Sequence, residues 1–160
     1  MNTRSKYLTH SAIIASLYIV LSLVSNAMGL CNGTIQFRLS EVLTILPLFT
    51  PAAIPGLVIG CALSNLITGC MGLDILFGTI ATLLGALGTY YFGKKILFFG
   101  PACPIIANTV IVPFILQYVY DFTGSYWYFF ATIGIGEITI CGLCGMLLYK
   151  ALKKGKAFQS

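Results

Sequence analysis

Residues 42–73 read VLTILPLFTPAAIPGLVIGCALSNLITGCMGL and contain no Asp, Glu, Lys or Arg. A charge-free stretch of 32 residues is too long for one membrane-spanning helix, which needs about 20 apolar residues. It is interrupted by Pro47, Pro51 and Pro55, and proline ends or kinks a helix. The stretch therefore predicts two short apolar helices joined by a turn at residues 50–56.

Charge-free stretches also flank this segment, at residues 7–37, 75–93 and 96–120, and residues 122–149 contain only one charged residue, Glu137. Overall, 58% of the chain is hydrophobic and 8% is charged, against about 25% charged in a soluble domain. A soluble globule is excluded, because so few charges cannot form its polar surface. We predict an all-α fold, a single integral-membrane domain over residues 1–160. Its six transmembrane helices are expected at 7–30, 39–49, 52–66, 74–92, 101–119 and 126–149.

The distribution of Lys and Arg predicts the orientation in the membrane. If the N-terminus is cytoplasmic, six spans place one basic residue outside, Arg38, and eight inside. The eight are Arg4, Lys6, Lys94, Lys95, Lys150, Lys153, Lys154 and Lys156. The positive-inside rule then predicts a multi-pass cell-membrane protein with both termini cytoplasmic. The net charge of +5 reflects this topology and attraction to anionic lipid, so we expect no nucleic-acid partner.

Several kinds of chemistry are disfavoured by missing residues. No GxxxxGK[ST] motif occurs, so the chain is not expected to hydrolyse ATP. The single histidine, His10, lies near the start of helix 1, whereas an intramembrane hydrolase or a haem site needs a deeper histidine. Cys141 and Cys144 lie in an apolar helix and are expected to pack rather than bind metal. We therefore predict a non-enzyme with no metal and no cofactor. Cys31 and Cys70 share the outer side, and the sequence leaves a disulfide between them open.

Two polar residues lie deep in predicted spans. Glu137 is 11 residues into helix 6 from Tyr126, or about 16 Å, which is near the middle of the bilayer. Asn108 reaches a similar level in helix 5. Ionisable groups at this depth usually face an internal cavity or pathway. The structural alternative is a protonated Glu137 that bonds to a neighbouring helix.

A second polar cluster lies at the predicted outer edge, in Gln36, Arg38 and Glu41 of the segment that leads into helix 2 and in Asp74 at the start of helix 4. Arg38 and Glu41 are three residues apart and would pair locally if helical. Ser40 and Asp74 would equally serve as N-caps. Taken together with Glu137, the carboxylates, the guanidinium and the amides favour a pocket for a polar or cationic small molecule.

Ordered polar motifs in these helices resemble a known family. Residues 36–47 read QFRLSEVLTILP, 54–65 read IPGLVIGCALSN, 74–84 read DILFGTIATLL, 104–113 read PIIANTVIVP and 134–137 read GIGE. The chain resembles the QueT family of queuosine-precursor transporters over nearly its whole length. The resemblance implies the substrate-binding (S) component of an energy-coupling factor (ECF) importer, with six helices and an outward-opening pocket.

The resemblance also implies partners, namely a transmembrane coupling protein and two cytoplasmic ATPases that use ATP. In such importers a strip of small residues on helix 1 contacts the coupling protein. Here that strip comprises Ser11, Ala12, Ala15 and Ser16, an imperfect match to the Ala-x-x-x-Ala pattern.

The implied substrate, a 7-deazaguanine such as queuine or 7-aminomethyl-7-deazaguanine, presents a ring N–H beside an exocyclic amine, which one carboxylate accepts together. Either Glu41 or Glu137 suits this role. An aromatic ring would stack on the base, with Phe37, Tyr118 and Trp127 as candidates. The predicted substrate-binding residues are Gln36, Arg38, Glu41, Asp74, Asn108, Trp127 and Glu137.

Two alternatives from other classes stay open. A stand-alone proton- or cation-coupled carrier would use Glu137 as its titrating group. A structural membrane subunit would bind no small molecule.

Overall fold

The structure, a computed structural model, describes residues 3–31 and 35–155, and within these residues the regular secondary structure is all helical. Six helical segments follow one another and are numbered here as helices 1 to 6. Their bounds are Thr3–Ala27, Leu39–Leu48, Ala53–Ile67, Gly72–Gly93, Phe99–Tyr118 and Tyr126–Gly155. Lys156, which was predicted to be cytoplasmic, lies outside the described residues.

The predicted all-α class is confirmed, and each predicted helix lies within a few residues of an observed one, apart from the longer C-terminal end of helix 6. Helices 1, 4, 5 and 6 are long and apolar enough to cross a membrane, whereas helices 2 and 3 are shorter apolar helices. Large apolar side chains point away from the bundle, as Leu8, Leu66 and Leu147 do at more than 60% exposure. Such an outer surface suits lipid contact. Six full spans and cytoplasmic termini remain predictions.

Helix 2 is the centre of the bundle. Most of its residues are buried, and it contacts each of the other five helices. Its hydrogen bonds follow the tight 3-10 pattern, with a rise of about 2.0 Å per residue, and Pro47 lies inside it. Its start is tied to helix 1, because the Ser25 hydroxyl accepts a hydrogen bond from the Leu39 amide at 2.9 Å. This tie fixes the positions of Arg38 and Glu41, on either side of Leu39.

Helices 1 and 3 pack closely because helix 3 has glycines where it meets helix 1. A Cβ at Gly56 would lie 2.8 Å from the Ser11 carbonyl oxygen, and one at Gly60 would lie 2.7 Å from the Tyr18 Cβ. Ser11 and Ala15 are accordingly buried, and the Ser11 hydroxyl donates to the Ala52 carbonyl at 2.8 Å.

The four residues of the predicted partner strip therefore divide into two pairs. Ser11 and Ala15 are covered by helix 3 inside the bundle. Ala12 and Ser16 are exposed on the outside of helix 1. For Ser11 and Ala15 this is packing within the chain, and contact of the strip with a coupling protein remains a prediction.

Helix 6 changes its winding in the middle. It is α-helical from Tyr126 to Glu137, takes π-helical geometry over Ile138–Cys144 and returns to α-helix at Gly145. Insertions of π-helix are rare in proteins as a whole, and those that occur are often found at functional sites. The change begins directly after Glu137, the deepest predicted site residue.

Candidate functional site

An outer cavity of about 440 Å³ lies among the loops at one end of the bundle and the helix ends beside them. Its volume falls within the range typical of small-molecule sites. The wall combines polar side chains with a few apolar and aromatic ones. It is lined by Ser22, Asn26, Cys31, Gln36, Arg38, Ser64, Asn65, Thr68, Gly69, Cys70, Asp74, Val112, Ile115, Leu116, Tyr120 and Phe122.

A second, much smaller pocket of about 20 Å³ lies deeper in the bundle. It shares Gln36, Arg38 and Val112 with the outer cavity, so these three side chains stand between the two spaces. The remaining lining is Glu41, Gly78, Thr82, Asn108, Ile133 and Glu137. We call these spaces the outer cavity and the deep pocket.

Asp74 is the carboxylate of the outer cavity. It lies in the first turn of helix 4 and is 5% exposed. Its Oδ2 accepts a hydrogen bond from the Tyr120 hydroxyl at 2.8 Å, and that hydroxyl accepts one from the Met71 amide at 3.2 Å. Burial, together with the bond to the Asp74 carboxylate and its charge, raises the pKa of Tyr120 to about 12. The Tyr120 hydroxyl therefore stays protonated and keeps donating to Asp74 at neutral pH.

Glu41 is a carboxylate of the deep pocket, and it is 3% exposed. Its Oε1 accepts a hydrogen bond from the hydroxyl of Tyr18, which projects from the middle of helix 1. Its Oε2 is buried, and within the described residues no donor meets hydrogen-bond geometry with it, although the Asn108 amide, which donates to Glu137, also lies close enough to interact with the Glu41 carboxylate. An unmatched buried oxygen of this kind is costly, so such atoms call for an explanation.

Glu137 lies beside Glu41 but has both oxygens engaged. Oε1 accepts from the Asn108 amide at 3.1 Å and Oε2 from the Cys141 thiol at 3.1 Å. The ligand atoms of Glu41, Glu137 and Cys141 all lie within 4.8 Å of one another, and among the described residues this is the group that approaches a metal-ligand set. The Cys141 thiol is used here as a donor to a carboxylate, which gives it a role without any ion.

Arg38 supplies the positive charge between the two spaces, and it is only partly exposed. Burial by itself lowers the pKa of its guanidinium, but the negative charges around it, foremost the Asp74 carboxylate and also that of Glu41, raise the pKa above its ordinary value. Arg38 is therefore a permanent cation.

The extended segment before helix 2 is held against helix 6 by a glycine. A Cβ at Gly136 would clash with the Gln36 carbonyl oxygen, so any larger residue forces the two backbones apart. Steric contact therefore explains the second glycine of the motif GIGE. The close approach of the two backbones at this glycine brings Gln36 next to Glu137.

The structure brings six of the predicted substrate-binding residues to these two spaces, namely Gln36, Arg38, Glu41, Asp74, Asn108 and Glu137. Trp127 is not brought there, because it is 72% exposed on helix 6 and lines neither space. Neither Ser40 nor Asp74 stands at the N-cap of its helix, which is Arg38 for helix 2 and Met71 for helix 4.

Sequence reasoning missed three side chains that hold the carboxylates: Tyr18, Tyr120 and Cys141. The available signal was weak. A tyrosine inside an apolar helix needs a hydrogen-bond partner for its hydroxyl, which pointed to Tyr18 but not to its partner. Cys31 and Cys70 both line the outer cavity as free thiols.

The sequence of the chain is similar to those of known proteins. Residues 8–154 match the QueT transporter family. The queuosine precursor transporter QueT of Lactococcus lactis subsp. cremoris (strain MG1363) is 33% identical over 84 residues, covering 52% of this chain and 49% of that protein. In this match the chain spans about half the length of the relative. No solved structure matches the chain.

Proposed function

The chain belongs to the QueT transporter family, and on this premise we propose that it is the substrate-binding component of an energy-coupling factor importer. In this role it is a multi-pass cell-membrane protein, with cytoplasmic termini, that captures a queuosine precursor outside the cell. The substrate class is a 7-deazaguanine, such as queuine or 7-aminomethyl-7-deazaguanine. ATP is used by partner ATPases rather than by this chain.

One observation carries the proposal: a polar cavity of about 440 Å³ is built into an otherwise apolar helical bundle. Charged groups at bilayer depth cost about 3 kcal/mol or more on insertion scales, and they are kept where they serve a substrate pathway. The cavity joins an acid, Asp74, to a permanent cation, Arg38, with amides beside them. This set suits a ligand that carries both donors and acceptors, as a deazaguanine does.

Ligand binding by the purified protein tests the substrate class directly. We expect 7-aminomethyl-7-deazaguanine and queuine to raise the melting temperature further as their concentration rises, because a ligand that binds only the folded state stabilises it by an amount that grows with the logarithm of its concentration. Riboflavin and thiamine, at the same concentration, serve as controls of similar polarity. A shift with the vitamins and none with any deazaguanine would contradict the proposal.

Docking to a coupling protein is proposed for the exposed pair on helix 1, Ala12 and Ser16. Small residues allow helix backbones to approach closely, so Ala12→Trp is expected to abolish co-purification with the coupling module while ligand binding survives. Ala15→Trp is the matched comparison, because Ala15 is buried against helix 3 and the change should damage folding itself. If Ala12→Trp leaves complex formation unchanged, the partner contacts another face.

The stand-alone carrier remains the second candidate, since Glu137 is a buried carboxylate in the deep pocket. Reconstitution separates the two functions. We expect vesicles with this chain alone to bind substrate without accumulating it, and vesicles that also hold the coupling module and ATP to accumulate it. Accumulation by the chain alone, driven by a proton gradient, would favour the carrier.

A further inference from the structure

We propose that the deep pocket receives the exocyclic amine and adjoining ring N–H of the bound base, with Glu41 as their acceptor, while the ring and its 7-substituent stay in the outer cavity. This assignment rests on the proposed function. It chooses between Glu41 and Glu137, which the sequence left as equal candidates, and it fixes which end of the ligand enters first.

The two volumes support this orientation. A space of about 20 Å³ exceeds the roughly 10–15 Å³ that one water molecule occupies by the same measure, and it is too small for a fused ring. An amine and a ring N–H are groups of that size. The outer cavity of about 440 Å³ has room for the rest of the molecule.

The hydrogen bonds of the two deep carboxylates distinguish their roles. Glu137 has a protein donor on each oxygen, from Asn108 and from Cys141. Glu41 has one on Oε1, from Tyr18, and its buried Oε2 has none within the described residues. A donor-rich ligand edge therefore finds an available acceptor on Glu41, and Glu137 serves as a fixed neighbour.

The opposite end of the ligand is placed by Asp74. One oxygen of Asp74 accepts from Tyr120, and the residue faces the outer cavity rather than the deep pocket. A carboxylate there pairs with a cationic substituent on the ring, such as the 7-aminomethyl group. Arg38 and Gln36 lie between the two acids, where an acceptor on the ring would meet their donors.

Two ligands that differ only in the exocyclic amine test the assignment: 7-deazaguanine, and 7-deazahypoxanthine, which lacks that amine. Affinities for both are measured by calorimetry on the purified wild type, on Glu41→Gln and on Glu137→Gln, which changes the other carboxylate of the same pocket and therefore represents the competing assignment. We expect the wild type to prefer 7-deazaguanine about tenfold or more, because an unpaired buried acceptor penalises the analogue. Glu41→Gln should reduce that preference to about threefold or less, and Glu137→Gln should preserve it.

Glu41→Asp is measured in parallel, because it keeps the charge and withdraws the carboxylate by one methylene. It should also lower the preference, which keeps the test valid if the glutamine variant does not fold. A preference that is retained in both Glu41 variants, or lost in Glu137→Gln instead, would overturn the assignment alone. A wild type that binds no deazaguanine would overturn the proposed function and this assignment with it.

Discussion

Glu41 and Asp74 are held in similar ways at two different depths. Each has one carboxylate oxygen bound by a tyrosine hydroxyl, from Tyr18 in the first case and Tyr120 in the second. The environments differ, because Glu41 faces a pocket of about 20 Å³ and Asp74 a cavity of about 440 Å³. Tyr18 is 1% exposed, whereas Tyr120 is only partly buried.

This difference implies that the same kind of hydrogen bond contributes more free energy at Glu41 than at Asp74. Electrostatic interactions strengthen where water is excluded, and an unpaired polar group is costly there. Near a wide cavity, water and salt screen a charge and replace lost partners. We therefore expect the deep carboxylate to decide whether a base binds, and the outer one to decide among its substituents.

The largest effect is expected from Gly136→Val, which should abolish binding of the base in the deep pocket and of its substituent in the outer cavity together. A Cβ there would clash with the Gln36 carbonyl oxygen, so the segment between the two spaces must move. Overpacking costs about 1–3 kcal/mol or more. Binding of every deazaguanine should be lost and the melting temperature lowered. Gly72→Val is the control, because a Cβ at Gly72 meets nothing within 4 Å. Normal binding by Gly136→Val would show that the close approach is dispensable.

Asp74→Asn should separate ligands by their substituent. Loss of a charge-assisted bond costs about 1.5–3 kcal/mol, and the lower end, about tenfold in affinity, is expected beside an open cavity. The loss should appear for 7-aminomethyl-7-deazaguanine and be absent for 7-cyano-7-deazaguanine, which has no cation. Calorimetry with both ligands at low and high salt measures it. An equal loss for both ligands would place Asp74 at the base instead.

Tyr18→Phe should weaken binding of 7-aminomethyl-7-deazaguanine and of 7-cyano-7-deazaguanine alike, by about threefold to tenfold. Without the Tyr18 hydroxyl, Oε1 of Glu41 has no donor and the carboxylate can rotate. Tyr18 acts as a positioning residue. Its test is therefore the preference for 7-deazaguanine over 7-deazahypoxanthine, which should fall, and a double variant with Glu41→Gln, in which the two losses should not add. Additive losses would make Tyr18 an independent structural residue.

Tyr120→Phe is expected to have the smallest effect, about threefold or less, and only on ligands with a cationic substituent. The hydroxyl donates to Asp74 at 2.8 Å in a partly exposed position, where such bonds contribute less. The measurement is the affinity ratio of 7-aminomethyl- to 7-cyano-7-deazaguanine. An effect larger than that of Tyr18→Phe would reverse the proposed order of the two carboxylates.

The helices were predictable because the chain has few charges and their gaps mark the apolar segments. Candidate residues for the polar site could also be chosen from the sequence, since Glu137 and Asn108 are polar residues in apolar surroundings. The choice between Glu41 and Glu137 could not be made in this way, because it depends on which oxygens are already bound by Tyr18, Asn108 and Cys141. The Tyr18–Glu41 and Asn108–Glu137 contacts join residues far apart in sequence, whereas the Cys141–Glu137 contact joins residues one helical turn apart.

Spacing and residue type alone could not show which side of a helix a residue occupies. Small residues on helix 1 suggested one surface, but Ala15 faces Gly60 on helix 3 and Ala12 faces outward. Both are small, and one turn of helix is 3.6 residues, so position on the helix rather than size separates them. Trp127 was chosen for its ring, which composition cannot orient.

Helix 2 touches every other helix, and Glu41 lies on it. A ligand that binds Glu41, as proposed above, would therefore act on a segment whose movement all its neighbours must accommodate. Tightly packed interiors do not absorb such shifts locally, because they have few voids. If a coupling protein docks on the exposed face of helix 1, as also proposed, helix 2 would give that partner a physical means of distinguishing a loaded protein from an empty one.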